Sequence, residues 1–194
     1  MTMLTVHFDG FYMAQASKGV HNNHYTMPKI ERIKKRHLLK KREQRDEIAR
    51  IEQETGASIE GIDVKSHLEG GVLDDGSRVL LLDGEIVFFQ HEGRMFPALR
   101  ALLNGLIDVP RITVDMGAVK FVVNGADIMR PGITQVDDRV KENGIVVVVD
   151  ENHGKALAVG VSKLSAIALR AASGGKVIKS IHHINDDLWV FGKI

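Results

Sequence analysis

Val114–Ile133 reads VDMGAVKFVVNGADIMRPGI, and the punctuation of this stretch decides how the rest of the chain is read. Asp115 is a helix N-cap by type, because its short carboxylate accepts an amide of the first turn. Val119, Val122 and Val123 recur at the spacing of a buried helical stripe. Gly125 ends that helix after Asn124, since glycine takes positive φ without strain. Ala126 to Arg130 follows as a strand with Arg130 exposed, and Pro131-Gly132 breaks it. Two permissive turns around a short strand, with Lys120 and Arg130 to supply charge, let a phosphate–sugar backbone approach the loop amides closely. The same pattern equally suits a tight helix-to-strand corner that only the fold requires.

Downstream, Ile145–Val149 is a continuous β-branched run, expected as a strand buried on both sides. Asp150 to Gly154 turns, and Ala156 to Val161 pairs back antiparallel. Ser165 caps a short helix that stops at Gly174-Gly175, and Val177 to Ile184 with Leu188 to Phe191 form a last hairpin. This half reads as a small, β-rich, barrel-like domain with two short helices. Val109-Pro110 is the expected boundary before it.

Upstream, a basic strand from Ile30 to Leu39 precedes a helix from Lys41 to Thr55, stopped by Gly56. Val64 to Leu68 alternates as a strand. Arg78 to Leu82 and Glu85 to Gln90 flank Asp83-Gly84, the signal for a type I′ hairpin. His91-Glu92-Gly93 turns again, and Phe96 to Leu103 reads as a helix with Pro97 in its first turn. Phe88, Phe89, Met95 and Phe96 read as sheet core, the alternative being a surface for a protein partner. Residues 1–26 show no sustained period and are expected as an irregular extension. Its His21-x-x-His24 lacks carboxylate support for a metal site.

Composition narrows the function. The chain has 194 residues, 44% hydrophobic and 26% charged, with no cysteine, which excludes disulfides, thiolate metal sites and a cysteine nucleophile. No apolar run approaches a membrane span and no secretory signal opens the chain, so an intracellular, cytoplasmic protein is expected. Net charge is only +1, but residues 27–50 set ten Lys/Arg against four Asp/Glu. Lys34, Lys35, Arg36, Lys40, Lys41 and Arg42 form a basic arm on a mildly acidic body, a footprint of contact with nucleic acid or another acidic surface. A solvated helix face with i,i+4 ion pairs accounts for it equally well. There is no phosphate-binding G-x-x-x-x-G-K-[ST] loop, no G-x-S-x-G elbow and no H-E-x-x-H. Asp74-Asp75, Asp137-Asp138 and Asp186-Asp187 sit in expected turns as solvated pairs, and His182-His183 points to opposite strand faces, one packed and one exposed. A non-enzyme without cofactor or metal is expected.

Val114–Ile133 resembles the opening of the PUA domain, named for pseudouridine synthases and archaeosine transglycosylases. Ile145–Val161 (IVVVVDENHGKALAVGV) is similar to its central hairpin, and Ser173–Phe191 to its closing strands. Leu80–Leu103 (LLLDGEIVFFQHEGRMFPALRALL) resembles the domain preceding PUA in the malignant T-cell amplified sequence family and in ligatin. The basic arm looks most like archaeal members. The resemblance covers about residues 27–191 and implies an α+β chain: an N-terminal α/β pre-PUA domain (27–109), then a PUA pseudobarrel with two short helices (110–194). It further implies an RNA-binding protein of the translation apparatus, acting on the tRNA acceptor end or small-subunit rRNA in initiation, reinitiation or recycling. An initiation-factor-like protein is an implied partner. The alternative is an accessory factor or enzyme of tRNA or rRNA modification. Carried over to this chain, the RNA surface comprises Lys120, Gly125, Ala126, Asp127, Ile128, Met129, Arg130, Pro131, Gly132 and Ile133, with Lys163 before the second helix.

Overall fold

The computed structural model describes residue 30 and residues 32–62 and 65–191. The expected extension at 1–26, the His21/His24 pair and Val64 lie outside the described residues. Strand β1 (Ile33–Leu38) leads into helix α1 (Lys41–Thr55), where the Lys40 amide donates to Glu43 Oε2 at 2.8 Å and Gly56 closes the helix at φ 70°. A two-residue strand β2 (Ser58–Ile59) follows. β3 (Leu68–Leu73), β4 (Arg78–Leu82), β5 (Glu85–His91) and β6 (Arg94–Pro97) join β1 in an antiparallel sheet ordered β1-β3-β4-β5-β6. Asp83 and Gly84 both have positive φ, as a type I′ hairpin requires. Helix α2 (Leu99–Leu103) and strand β7 (Ile107–Asp108), which pairs with β2, complete this half.

The second half holds β8 (Arg111–Val114), α3 (Met116–Val122), β9 (Ile128–Met129), β10 (Ile133–Val136), β11 (Ile145–Asp150), β12 (Ala156–Ser162), α4 (Ala166–Ala171), β13 (Lys176–His183) and α5 (Asp187–Phe191). Its six strands run in the order β10-β8-β11-β12-β13-β9. Only β8 and β11 pair in parallel; the other neighbours are antiparallel.

Three expected elements change. The strand placed at Val64 to Leu68 is instead β3, which starts at Leu68 and runs through Gly70-Gly71. These glycines mark crowding, since a Cβ on them would lie 2.8 Å from the His37 ring and from Val79 Cγ2 respectively. Phe96 and Pro97 belong to β6, not to a helix. Phe96 pairs with Phe89 and Pro97 with Phe88, and the missing N–H of Pro97 is tolerated because β6 is an edge strand. Leu188 to Phe191 is helical, not a strand. Asp186 Oδ1 accepts the Trp189 amide at 2.8 Å and Asp186 O accepts that of Val190, so this supposed solvated turn residue caps α5.

The two core clusters meet at β11. Along β11, Ile145, Val147 and Val149 pack with the apolar cluster of the first half, while Val146 and Val148 face the interior of the second. Phe88, Phe89, Met95 and Phe96 are all buried in that first cluster, so they are core and not a partner surface. His182 is buried at the junction, edge-on to Phe89, with Nδ1 at 2.6 Å from Asp186 Oδ2. Burial pushes the Asp186 carboxyl up, but His182 and the amides of Trp189 and His183 outweigh it and leave it below its ordinary value. Arg139 bridges Asp108 of β7 at 2.6 Å and Asp137 at 2.7 Å, and its guanidinium holds the Asp137 carboxyl at about 2. Asp137 is therefore an engaged ion-pair partner rather than a free turn acid. Arg94 Nη1 donates to Asn143 O at 2.7 Å across the same junction.

Candidate nucleic-acid interface

Asp115 Oδ1 accepts the Ala118 amide at 2.8 Å, which starts α3 as its side-chain chemistry demands. The helix closes where the amides of Gly125 and Ala126 return to the carbonyls of Val122 and Phe121, each at 3.0 Å, and Gly125 takes φ 81°. A Cβ on Gly125 would also lie 2.5 Å from His183 Nε2. Carbonyls only accept, so His183 Nδ1 carries the proton it shares between Ile184 O (2.8 Å) and Val123 O (3.2 Å). His183 is thus half-buried and tied to the loop, not the exposed member of a His pair.

The loop then enters β9, which is shorter than the expected Ala126 to Arg130. Asp127 Oδ1 accepts the Ser180 amide at 3.1 Å, and its carboxylate sits 3.7 Å from Lys176 Nζ. Met129 is exposed and pairs in register with Lys176. Arg130 begins a single 3-10 turn to Gly132. The turn is clamped on both sides: Gly132 O accepts the Asp115 amide at 3.0 Å beside α3, and Arg130 Nε donates to Leu169 O of α4 at 2.6 Å.

This geometry sorts the eleven carried residues. Lys120, Ala126, Met129, Pro131 and Lys163 are exposed. Gly125, Asp127, Arg130 and Gly132 are half-buried and shape the surface. Ile128 and Ile133 are buried in the second core cluster, so they position the others and touch no ligand. Arg130 is corrected most: its guanidinium is not an exposed charge, because Nε and Nη1 hold the carbonyls of Leu169 and Ile133. Arg130→Ala removes both bonds, with an expected loss of about 1–3 kcal/mol of stability. Urea melts should show a lower midpoint for Arg130→Ala and none for Lys120→Ala; equal midpoints would return Arg130 to the role of a free contact.

The basic stretch is no free arm. Lys34, Lys35 and Arg36 lie on β1, an edge strand, and Lys41 and Arg42 on α1, with Lys40 between. Part of its charge is spent: Arg36 forms a two-point pair with Glu69, Lys34 Nζ donates to Asp74 O at 2.6 Å, and Arg42 lies 3.8 Å from Asp46. Among the described residues, no three His, Asp or Glu side chains converge as metal ligands, and no helix is long and apolar enough to cross a membrane.

Residues 110–184 match the PUA domain, and residues 35–104 match a domain of unknown function (DUF1947). An uncharacterized protein of Methanocaldococcus jannaschii is 36% identical over 163 residues, 82% of this chain and 98% of that one. Translation machinery-associated protein 20 of Saccharomyces cerevisiae is 35% identical over 133 residues, 66% of this chain and 74% of the relative. The chain belongs to this PUA family. Malignant T-cell-amplified sequence proteins match as well, which bears out the resemblance read from residues 80–103 and 114–133. A crystal structure of a hypothetical protein from Pyrococcus horikoshii superposes with a TM-score of 0.69 at 30% identity, covering 81% of this chain and 99% of that one.

Two members of the PUA face escaped the sequence reading. Lys176, with its side chain 64% exposed, stands beside β9 because β13 pairs with it; no local pattern announces a contact between residues so far apart in the chain. Phe121 reads as one more apolar residue of α3, yet it is 57% exposed. The period was the available signal, since Val119, Val122 and Val123 already fill the buried stripe.

Proposed function

We propose that this protein binds RNA in the translation apparatus, without catalysis, and that its PUA face holds an unpaired RNA end, the tRNA acceptor terminus being the leading case. The observation that carries this reading is a set of exposed lysines on the elements that meet at the glycine loop and 3-10 turn: Lys120 on α3, Lys176 in register with Met129 of β9, and Lys163, whose amide donates to Val177 O at 2.8 Å. Among the described residues, Lys120 and Lys163 have no carboxylate within 4.0 Å, which leaves their charges for phosphates. Kinship with translation machinery-associated protein 20 supports the setting. The basic surface of β1 and α1 adds sequence-independent attraction to tRNA or small-subunit rRNA, giving two-point attachment. An initiation-factor-like protein is the proposed partner.

Fluorescence anisotropy with deacylated tRNA, intact or trimmed of its CCA, across a salt series tests the reading. Weaker binding of the trimmed tRNA is expected. Equal and steeply salt-dependent binding of both would move the contact to the β1–α1 surface.

A further inference from the structure

We infer that Phe121 is a base-stacking platform for the unpaired nucleotides of the proposed ligand. The inference rests on the RNA-binding reading and adds to it a residue that determines specificity. Phe121 is 57% exposed on a helix whose buried side is already filled by Val122 and its neighbours. A lone exposed apolar residue needs no explanation, but this one has specific company. Its own carbonyl accepts the amides of Asn124 (3.2 Å) and Ala126 (3.0 Å), so the turn that forms the glycine loop is built on this residue. The backbone of Phe121 is thereby fixed at the start of the loop.

The Lys120 ammonium lies 4.8 Å from the centre of the Phe121 ring. With the exposed ammonium over an exposed ring, an aromatic face and a positive charge are side by side, the pair of groups a single nucleotide needs: a base against the ring and its phosphate at the ammonium. Met129, 46% exposed on the strand that leaves the same loop, is a second exposed apolar side chain, in register with Lys176. A purely electrostatic site for duplex phosphates has no use for exposed aromatic and thioether groups. The faces of paired bases are stacked on one another, so only an unpaired base can occupy such a platform.

The test uses the full chain and two RNA hairpins of identical stem, one blunt and one with a 3′ overhang of four unpaired nucleotides. The wild type is expected to prefer the overhang. Phe121→Leu, which keeps an apolar side chain on an exposed helical position, should bind the overhang roughly tenfold more weakly, with blunt-hairpin affinity and melting temperature unchanged. Phe121→Trp should retain the preference. A Phe121→Leu protein that keeps the full preference overturns the stacking role and leaves the ring to a protein partner. An equal loss on both hairpins overturns it also. A wild type that binds neither RNA removes the RNA-binding reading itself, a distinct outcome.

Discussion

Reversal of Lys120, Lys163 and Lys176 to glutamate is expected to abolish the preference for intact over trimmed tRNA and to lower the salt slope by about two, at roughly 0.7 per phosphate contact on a single strand. Each of these side chains is exposed, so the substitutions remove charge without opening the core. Among the described residues, the ion pair forfeited is Lys176 with Asp127, a surface contact at 3.7 Å, worth no more than about 1 kcal/mol. Reversal of Lys35, Lys40 and Lys41 is the matching control. It also flattens the salt dependence, yet the preference between the two tRNAs should persist, because that surface supplies attraction and no recognition. If the control erased the preference while the PUA reversal spared it, the assignment of roles to the two surfaces would be reversed.

Gly160→Ala has the largest expected effect on stability. A Cβ at this position would lie 2.6 Å from Lys179 O and 2.7 Å from Ile178 Cγ2. Lys179 O is backbone of the paired strand, so it cannot swing aside as a side chain would; β12 and β13 must part at the irregularity between Val159 and Gly160. Overpacking of this kind costs about 1–3 kcal/mol or more, and in a chain of this size each kcal/mol lowers the melting temperature by about 2–4 °C. Gly174→Ala is the control, having open space at its Cβ and no positive φ. Differential scanning calorimetry on both variants should show a fall for Gly160→Ala alone. Since β11 and β12 belong to both core clusters, a single transition is expected to shift, with no separate melting of the two halves. An unchanged melting temperature would mean the strand pair yields more easily than its geometry implies.

What could be read from the sequence was what local chemistry encodes. The α1 bounds, the Asp83-Gly84 hairpin, the caps Asp115 and Ser165, and the doubly buried β11 each rest on residues within a few positions of one another. The misreadings share the opposite cause. The strand read at Val64 to Leu68 stops short of Gly70-Gly71, which continue it as β3 only because β1 and β4 lie on either side, with His37 and Val79 occupying the space of the absent side chains. Pro97 looks like a first-turn helix residue until β5 claims Phe96. Arg130 looks like a free cation in sequence because its acceptors include Leu169, far along the chain. The candidate site divides in the same way: the exposure of Lys120, the positive φ of Gly125 and the Pro131-Gly132 turn were legible, and the period of α3 held the signal for Phe121, whereas Lys176 follows only from the pairing of β9 with β13.

The most direct measurement of the central claim is photo-crosslinking of tRNA carrying 4-thiouridine near its 3′ end, with the attached peptides mapped by mass spectrometry. The account predicts adducts within residues 116–133 and around Lys163 and Lys176. Adducts confined to residues 33–45 would contradict it, placing the RNA end on the basic strand and helix and leaving the PUA face without its ligand.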